Sequence, residues 1–332
     1  MTSDGREPAV WVRGLAKRFD EIDAVNGIDF EVEPGEIFGF LGPNGAGKST
    51  TIGMLCTLVR PTAGKAHVAG HDVRTERNEV RRNIGLVFQD STLDGYLSAE
   101  QNLRFHAELY GVPRAQANER MEQVMKMVGL WDRRDSLVYT YSGGMKRRLE
   151  IARGLLHSPR VLFLDEPTVG LDPQTRSSIW SYIKELMRRE EITIFMTTHY
   201  MDEAEYCDRI AIMDHGRIVA LDRPGVLKAQ VGKDRVQITT DDNAAAIEAL
   251  REKFGIEAVV AEGHVMFSVA EGEQFVPRLF AEFGLPILSV SVARPSLDDV
   301  FMAHTGSTIR DAEATRADTS RLVAARMMGR QR

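Results

Sequence analysis

The 332-residue chain is poor in cysteine, with only Cys56 and Cys207. They stand far apart, which excludes a disulfide framework or a cysteine-rich metal site and fits two free thiols in a reducing cytoplasm. Long hydrophobic runs are missing too. No window approaches the roughly 18 apolar residues of a bilayer span. The polar start, Met1 to Pro8, lacks the apolar stretch of a signal peptide. If the protein serves a membrane process, another chain is expected to do the crossing. Nor is there an excess of basic charge. The formal net charge is −6, which argues against a nucleic-acid partner. No internal repeat and no low-complexity segment is visible.

What is present suits a globular protein. Hydrophobic residues make up 43% and charged residues 27%, enough for a sizeable core. The length predicts two domains. Residues 1–221 read as mixed α/β. Ala9 to Val12, Ile28 to Val32 and Ile84 to Phe88 read as strands, and Lys48 to Leu58 as a helix stopped before Pro61. The pattern from Leu97 to Leu156 is helical. Val161 to Leu164 and Ile192 to Met196 are continuous apolar runs, expected of strands buried on both faces. Ile210 to Met213 and Ile218 to Ala220 flank His215-Gly216 as a hairpin. Residues 222–306 read as a second domain of order βαββαβ, ferredoxin-like, closed by a helix from Leu297 to His304. Residues 307–332 read as a mobile basic tail.

The strongest local signal is Gly42-Pro43-Asn44-Gly45-Ala46-Gly47-Lys48-Ser49, followed by Thr50, between a predicted strand and a predicted helix. It fits the P-loop pattern. Glycines let backbone N–H groups converge on phosphate oxygens, and the helix adds its positive N-terminal end. Lys48 is expected to reach the β- and γ-phosphates of ATP and Ser49 to ligate Mg²⁺. A lysine in an exposed loop buries little area, so Lys48→Ala is expected to change the stability of the nucleotide-free protein little. At Val161-Leu162-Phe163-Leu164-Asp165-Glu166, an apolar strand delivers two carboxylates to its C-terminal edge, where α/β sheets bind ligands. Asp165 suits the Mg²⁺ shell and Glu166 suits polarising the attacking water. Tyr141-Ser142-Gly143-Gly144-Met145 precedes an amphipathic helix and reads as a second anion-binding nest.

With that third motif, the chain resembles the ATP-binding cassette (ABC) family over roughly Val10 to Leu221. The resemblance implies a RecA-like core with a helical subdomain at about 97–156. It implies that Phe19 stacks on adenine, that Gln89 senses metal and water, and that His199 contacts the γ-phosphate. Asp172, in Val169-Gly170-Leu171-Asp172, would couple the two sites of a dimer. Ser142, Gly143, Gly144 and Met145 would complete the site of the opposite subunit. Met145 stands where the family usually has Gln, a variation that resembles the drug-export branch. Ser296-Leu297-Asp298-Asp299-Val300-Phe301, with His304-Thr305-Gly306, resembles the end of daunorubicin-resistance-type ATPases. The resemblance implies a peripheral ATPase on the cytoplasmic face of the membrane, driving export of a drug, antibiotic or lipid through a separate permease chain. The alternative is a soluble cassette ATPase acting on the ribosome or DNA, but such proteins usually carry two cassettes or a long coiled coil. Leu297, Val300 and Phe301 share one helix face. That stripe needs cover, from its own small sheet or, as the resemblance favours, from the sister subunit.

Overall fold

The structure, a computed structural model, describes residues 7–190, 192–261 and 263–305. The basic tail expected at 307–332 lies outside the described residues. Two compact units divide between Arg223 and Pro224.

The first unit opens with the long hairpin β1 (Val10–Phe19) and β2 (Ile22–Val32), followed by β3 (Ile37–Leu41) and α1 (Lys48–Leu55). Then come β4 (Ala63–Val68), β5 (His71–Asp72), α2 (Arg77–Asn83) and β6 (Ile84–Val87). The helices α3 (Ala99–Leu109), α4 (Arg114–Met127) and α5 (Gly143–Gly154) form the helical stretch. The unit closes with β7 (Val161–Asp165), α6 (Pro173–Glu190), β8 (Thr193–Thr198), α7 (Met201–Ala204), β9 (Arg209–Asp214) and β10 (Arg217–Asp222).

One sheet runs β2-β1-β4-β5, and a six-stranded sheet runs β10-β9-β3-β8-β7-β6. In the larger sheet, β9, β3, β8, β7 and β6 are parallel and β10 returns antiparallel. Every residue of β3, β7 and β8 is buried. That is why these segments read as unbroken apolar runs. Phe30, Phe38, Phe40, Phe163 and Phe195 interlock with ring centroids 5.0–5.9 Å apart and fix the strands against β2. The parallel register sets Leu41 beside Thr198 and Asp165 beside Thr197. Three strand ends therefore converge on one edge.

The second unit comprises α8 (Pro224–Val231), β11 (Asp234–Thr239), α9 (Asn243–Phe254), β12 (Ala258–Ala261), β13 (His264–Val269), α10 (Gly272–Glu282), β14 (Ser289–Ala293) and α11 (Leu297–Thr305). Its sheet order is β12-β13-β11-β14, antiparallel throughout. With the βαββαβ chain order, this is the ferredoxin-like arrangement. Val236, Ile238, Leu250, Val265, Phe267, Leu279 and Phe283 form its core.

The apolar stripe of α11 corrects an expectation. Leu297, Val300 and Phe301 are buried within the chain itself, and α11 packs on α8. No sequence signal marked α8, whose buried Leu227 belongs to this packing layer. The stripe is therefore not a free surface awaiting a sister subunit. Phe301→Ala should lower the stability of this unit by about 3–5 kcal/mol through cavity formation. Calorimetric melting of the variant checks this; an unchanged melting temperature with weakened self-association would restore the subunit-interface reading.

Candidate functional site

The segment between β3 and α1 curls at Gly47, whose φ is 108°. That conformation is open to glycine and strained for other residues. Lys48, the first residue of α1, folds back over the loop. Its Nζ donates to Gly42 O at 2.6 Å and Pro43 O at 3.2 Å, and lies 3.3 Å from Glu166 Oε1. Lys48 is only 4% exposed. Lys48 is therefore not the exposed lysine expected from the sequence: the ammonium bridges the loop to a buried carboxylate.

Asp165 ends β7. Its Oδ1 accepts from Ser49 Oγ at 3.1 Å and from Thr197 Oγ1 at 2.6 Å. Thr197 Oγ1 also accepts from Glu166 N–H at 3.0 Å, so one buried hydroxyl aligns both carboxylate residues. Glu166 adopts φ 45°, the left-handed region that costs a non-glycine residue energy. His199 Nδ1 stands 3.3 Å from Glu166 Oε1. Burial pushes the Glu166 carboxyl upward, but His199 and Lys48 outweigh it, and its pKa lies below the ordinary value. Glu166 is thus held ionised.

The geometry unites Lys48, Ser49, Asp165, Glu166 and His199. Gln89, Phe19, Ser142, Gly144 and Asp172 lie outside this hydrogen-bonded group. Gln89, after β6, is exposed and makes no hydrogen bond among the described residues. Phe19 is 44% exposed at the end of β1, with Lys17 Nζ 4.5 Å over its ring. It is therefore not a core phenylalanine. Ser142 caps α5 by accepting from Met145 N–H at 3.3 Å. Gly144 lies against α6, where a Cβ would meet Thr175 Cγ2 at 2.3 Å. Asp172 caps α6 through Thr175 N–H at 3.0 Å and Thr175 Oγ1 at 2.6 Å. Asn44, Gly45 and Ser49 are exposed on the loop, while Ala46 and Gly47 are buried.

Residues outside the motifs also shape the site. Glu203 of α7 is buried; its carboxylate accepts from Thr198 Oγ1 at 2.7 Å and from Thr168 Oγ1. It ties the strand end before His199 to the loop after Glu166. Thr197 and Thr198 carried a legible signal, being hydroxyls at the end of an otherwise apolar run. Glu203, within the polar stretch Met201-Asp202-Glu203, carried none.

No group of three or more His, Cys, Asp or Glu able to hold a metal occurs among the described residues. A Mg²⁺ bound mainly by phosphate and water, with one hydroxyl and one carboxylate from protein, needs no such cluster. The facing Ser49 and Asp165 oxygens fit that demand.

Comparison with known proteins agrees with this geometry. Residues 25–169 match the family model described as ABC transporter, and residues 224–305 match the C-terminal domain of DrrA1-3-like ATP-binding proteins. The daunorubicin/doxorubicin resistance ATP-binding protein DrrA of Streptomyces peucetius is 40% identical, covering 95% of this chain and 98% of that protein. CbiO1 of Clostridium perfringens, part of an ABC transporter complex, superposes with a TM-score of 0.64 at 28% identity over 75% of this chain and 97% of its own. The dimeric ATP-binding cassette MJ0796, bound to ADP and Pi, gives a TM-score of 0.58 at 26% identity, over 64% and 98%. A P-loop joined to two strand-end carboxylates, in a chain related to DrrA over nearly its whole length, belongs to the ABC transporter family as an ATP-hydrolysing nucleotide-binding subunit.

Proposed function

We propose that this subunit powers export of a drug, antibiotic or lipid through a separately encoded permease, from the cytoplasmic face of the membrane. The likeness to the resistance ATP-binding protein DrrA over 95% of the chain carries the export reading, and the convergence of Lys48, Ser49, Asp165, Glu166 and His199 on one sheet edge supplies the ATPase behind it. Gly42 to Thr50 hold the phosphates, Phe19 takes the adenine, and Ser49 and Asp165, joined by Gln89, hold Mg²⁺. When bound, Mg²⁺ neutralises charge on the phosphate oxygens. Glu166 is the water-polarising base, and His199 supports it and meets the γ-phosphate. Ser142 to Met145 complete the site of a second copy, with Asp172 coupling the pair; the dimeric relative supports that arrangement. No described helix is long and apolar enough to cross a membrane, so the permease is a different chain in this reading.

Power must leave the ATP site through a rigid surface. The stretch from Asp90 to Asn102 supplies one. Asp94 N–H donates to Asn102 Oδ1 at 2.9 Å, Thr92 N–H to Glu150 Oε1 at 3.0 Å, and Tyr139 N–H to Gly95 O at 3.0 Å. This frame holds Tyr96 outward, 89% exposed, with Leu137 and Tyr139 also exposed. Nearby, Leu58, Phe88, Leu109 and Tyr110 line a groove of ≈ 780 Å³. Exposed aromatics on a fixed loop suit a partner. Tyr96→Ala should therefore keep the basal ATPase of the isolated subunit and lose about 10-fold or more of permease-stimulated turnover. Unchanged stimulation in reconstituted vesicles would move the interface elsewhere.

A further inference from the structure

One buried cation sits behind the catalytic carboxylates and belongs to none of the motifs' expected roles. Arg147, in the second turn of α5, is 6% exposed. Its guanidinium donates to four backbone carbonyls: Phe88 O at 2.5 Å, Pro167 O at 2.6 Å, Asp165 O at 3.1 Å and Glu166 O at 3.2 Å. Glu150, one turn on, supplies its counter-charge at 3.1 Å and also accepts from Thr92 N–H. Burial pulls the Arg147 pKa down, and the Glu150 carboxylate opposes it. A guanidinium carries five donors in a fixed plane and uses all of them here, whereas an ammonium has only three, on a freely rotating head.

The held carbonyls are informative. Three belong to consecutive residues that turn through the left-handed Glu166. Such a backbone persists only when its surroundings over-determine it. The fourth, Phe88, precedes Gln89 and the stretch to which the permease is assigned above. We propose that Arg147 is a positioning residue for ATP hydrolysis, clasping the Glu166 turn and the start of the Gln89 segment into one rigid body carried on α5. The inference rests on the reading of Glu166 as the water-polarising base. It makes a movement of α5 or of the Gln89 segment a movement of the base.

Arg147→Lys tests this, because it keeps a cation beside Glu150 and removes the fork. The turnover number should fall about 10–100-fold while Mg-ATP affinity stays within about threefold, since a misplacement of order 1 Å costs rate more than binding. A merely structural role would lower affinity and rate together. The decisive readout is single-turnover hydrolysis in the Glu166→Gln background. There, adding Arg147→Lys should cost little further rate, because the residue it positions is already disabled. Full multiplication of the two defects would overturn the inference. So would a normal turnover number for Arg147→Lys beside a slow Glu166→Gln, which leaves the Glu166 reading standing. A Glu166→Gln variant as fast as the parent would instead overturn both.

Discussion

Glu166→Gln should bind Mg-ATP, trap a closed dimer and hydrolyse about 10²–10⁴-fold more slowly than the parent. The side chain keeps its size and can still accept a hydrogen bond, so the pocket survives. What is lost is the carboxylate that, in the proposed role, takes a proton from water. The structure explains why that carboxylate is ready. Glu166 lies among groups that favour its charge, with Lys48 and His199 each 3.3 Å from Oε1. Its pKa is held below the ordinary 4.5, so it is ionised at neutral pH. Rapid-quench hydrolysis beside sedimentation in saturating ATP checks both halves. Near-parental turnover would remove Glu166 from the role.

Lys48→Ala should have two effects. Loss of a charge-assisted contact to phosphate should weaken ATP binding by about 10–100-fold and abolish transport. The second effect comes from burial. Alanine leaves the Glu166 carboxylate without its ammonium partner, so the protein without nucleotide should lose about 1–3 kcal/mol of stability. The pH dependence has a definite sign. A depressed carboxyl pKa gives stability that is present above the unfolded value near 4.5 and lost as pH falls through the folded value. The melting difference between parent and variant should therefore be largest at neutral pH and shrink below about pH 4.5. Titration calorimetry gives the affinity, and melting curves at pH 7 and pH 4 give the rest. Equal melting at pH 7 would show that the Lys48–Glu166 pair contributes nothing.

The amino-acid sequence by itself determined the chemistry and the layout of the cassette. Its loops and carboxylates must present particular atoms at a fixed spacing from a strand end. Gly42 to Ser49 and Asp165-Glu166 are legible because strand, turn and carboxylate are adjacent in the chain. The apolar runs of β7 and β8 are legible because a strand buried on both faces has no room for polar residues until its end. The βαββαβ order of the second unit shows in the same way. Elements that owe their place to partners were not legible. The polar β4 and α2 carry no clean period, and α8 is short and flanked by Arg223 and Gly232, so the cover over Phe301 could not be foreseen.

Tertiary structure alone decided which residues meet. Thr197 lies 32 residues from Asp165 and reaches it because β7 and β8 pair in parallel register. Arg147 reaches Phe88 across 59 residues and Glu166 across 19, which no local pattern encodes. The burial of Lys48 has the same origin: a P-loop lysine looks exposed in sequence until a second strand brings a carboxylate against it. Local spacing specifies which groups the chain carries, whereas sheet register and close packing specify the few ångströms between them.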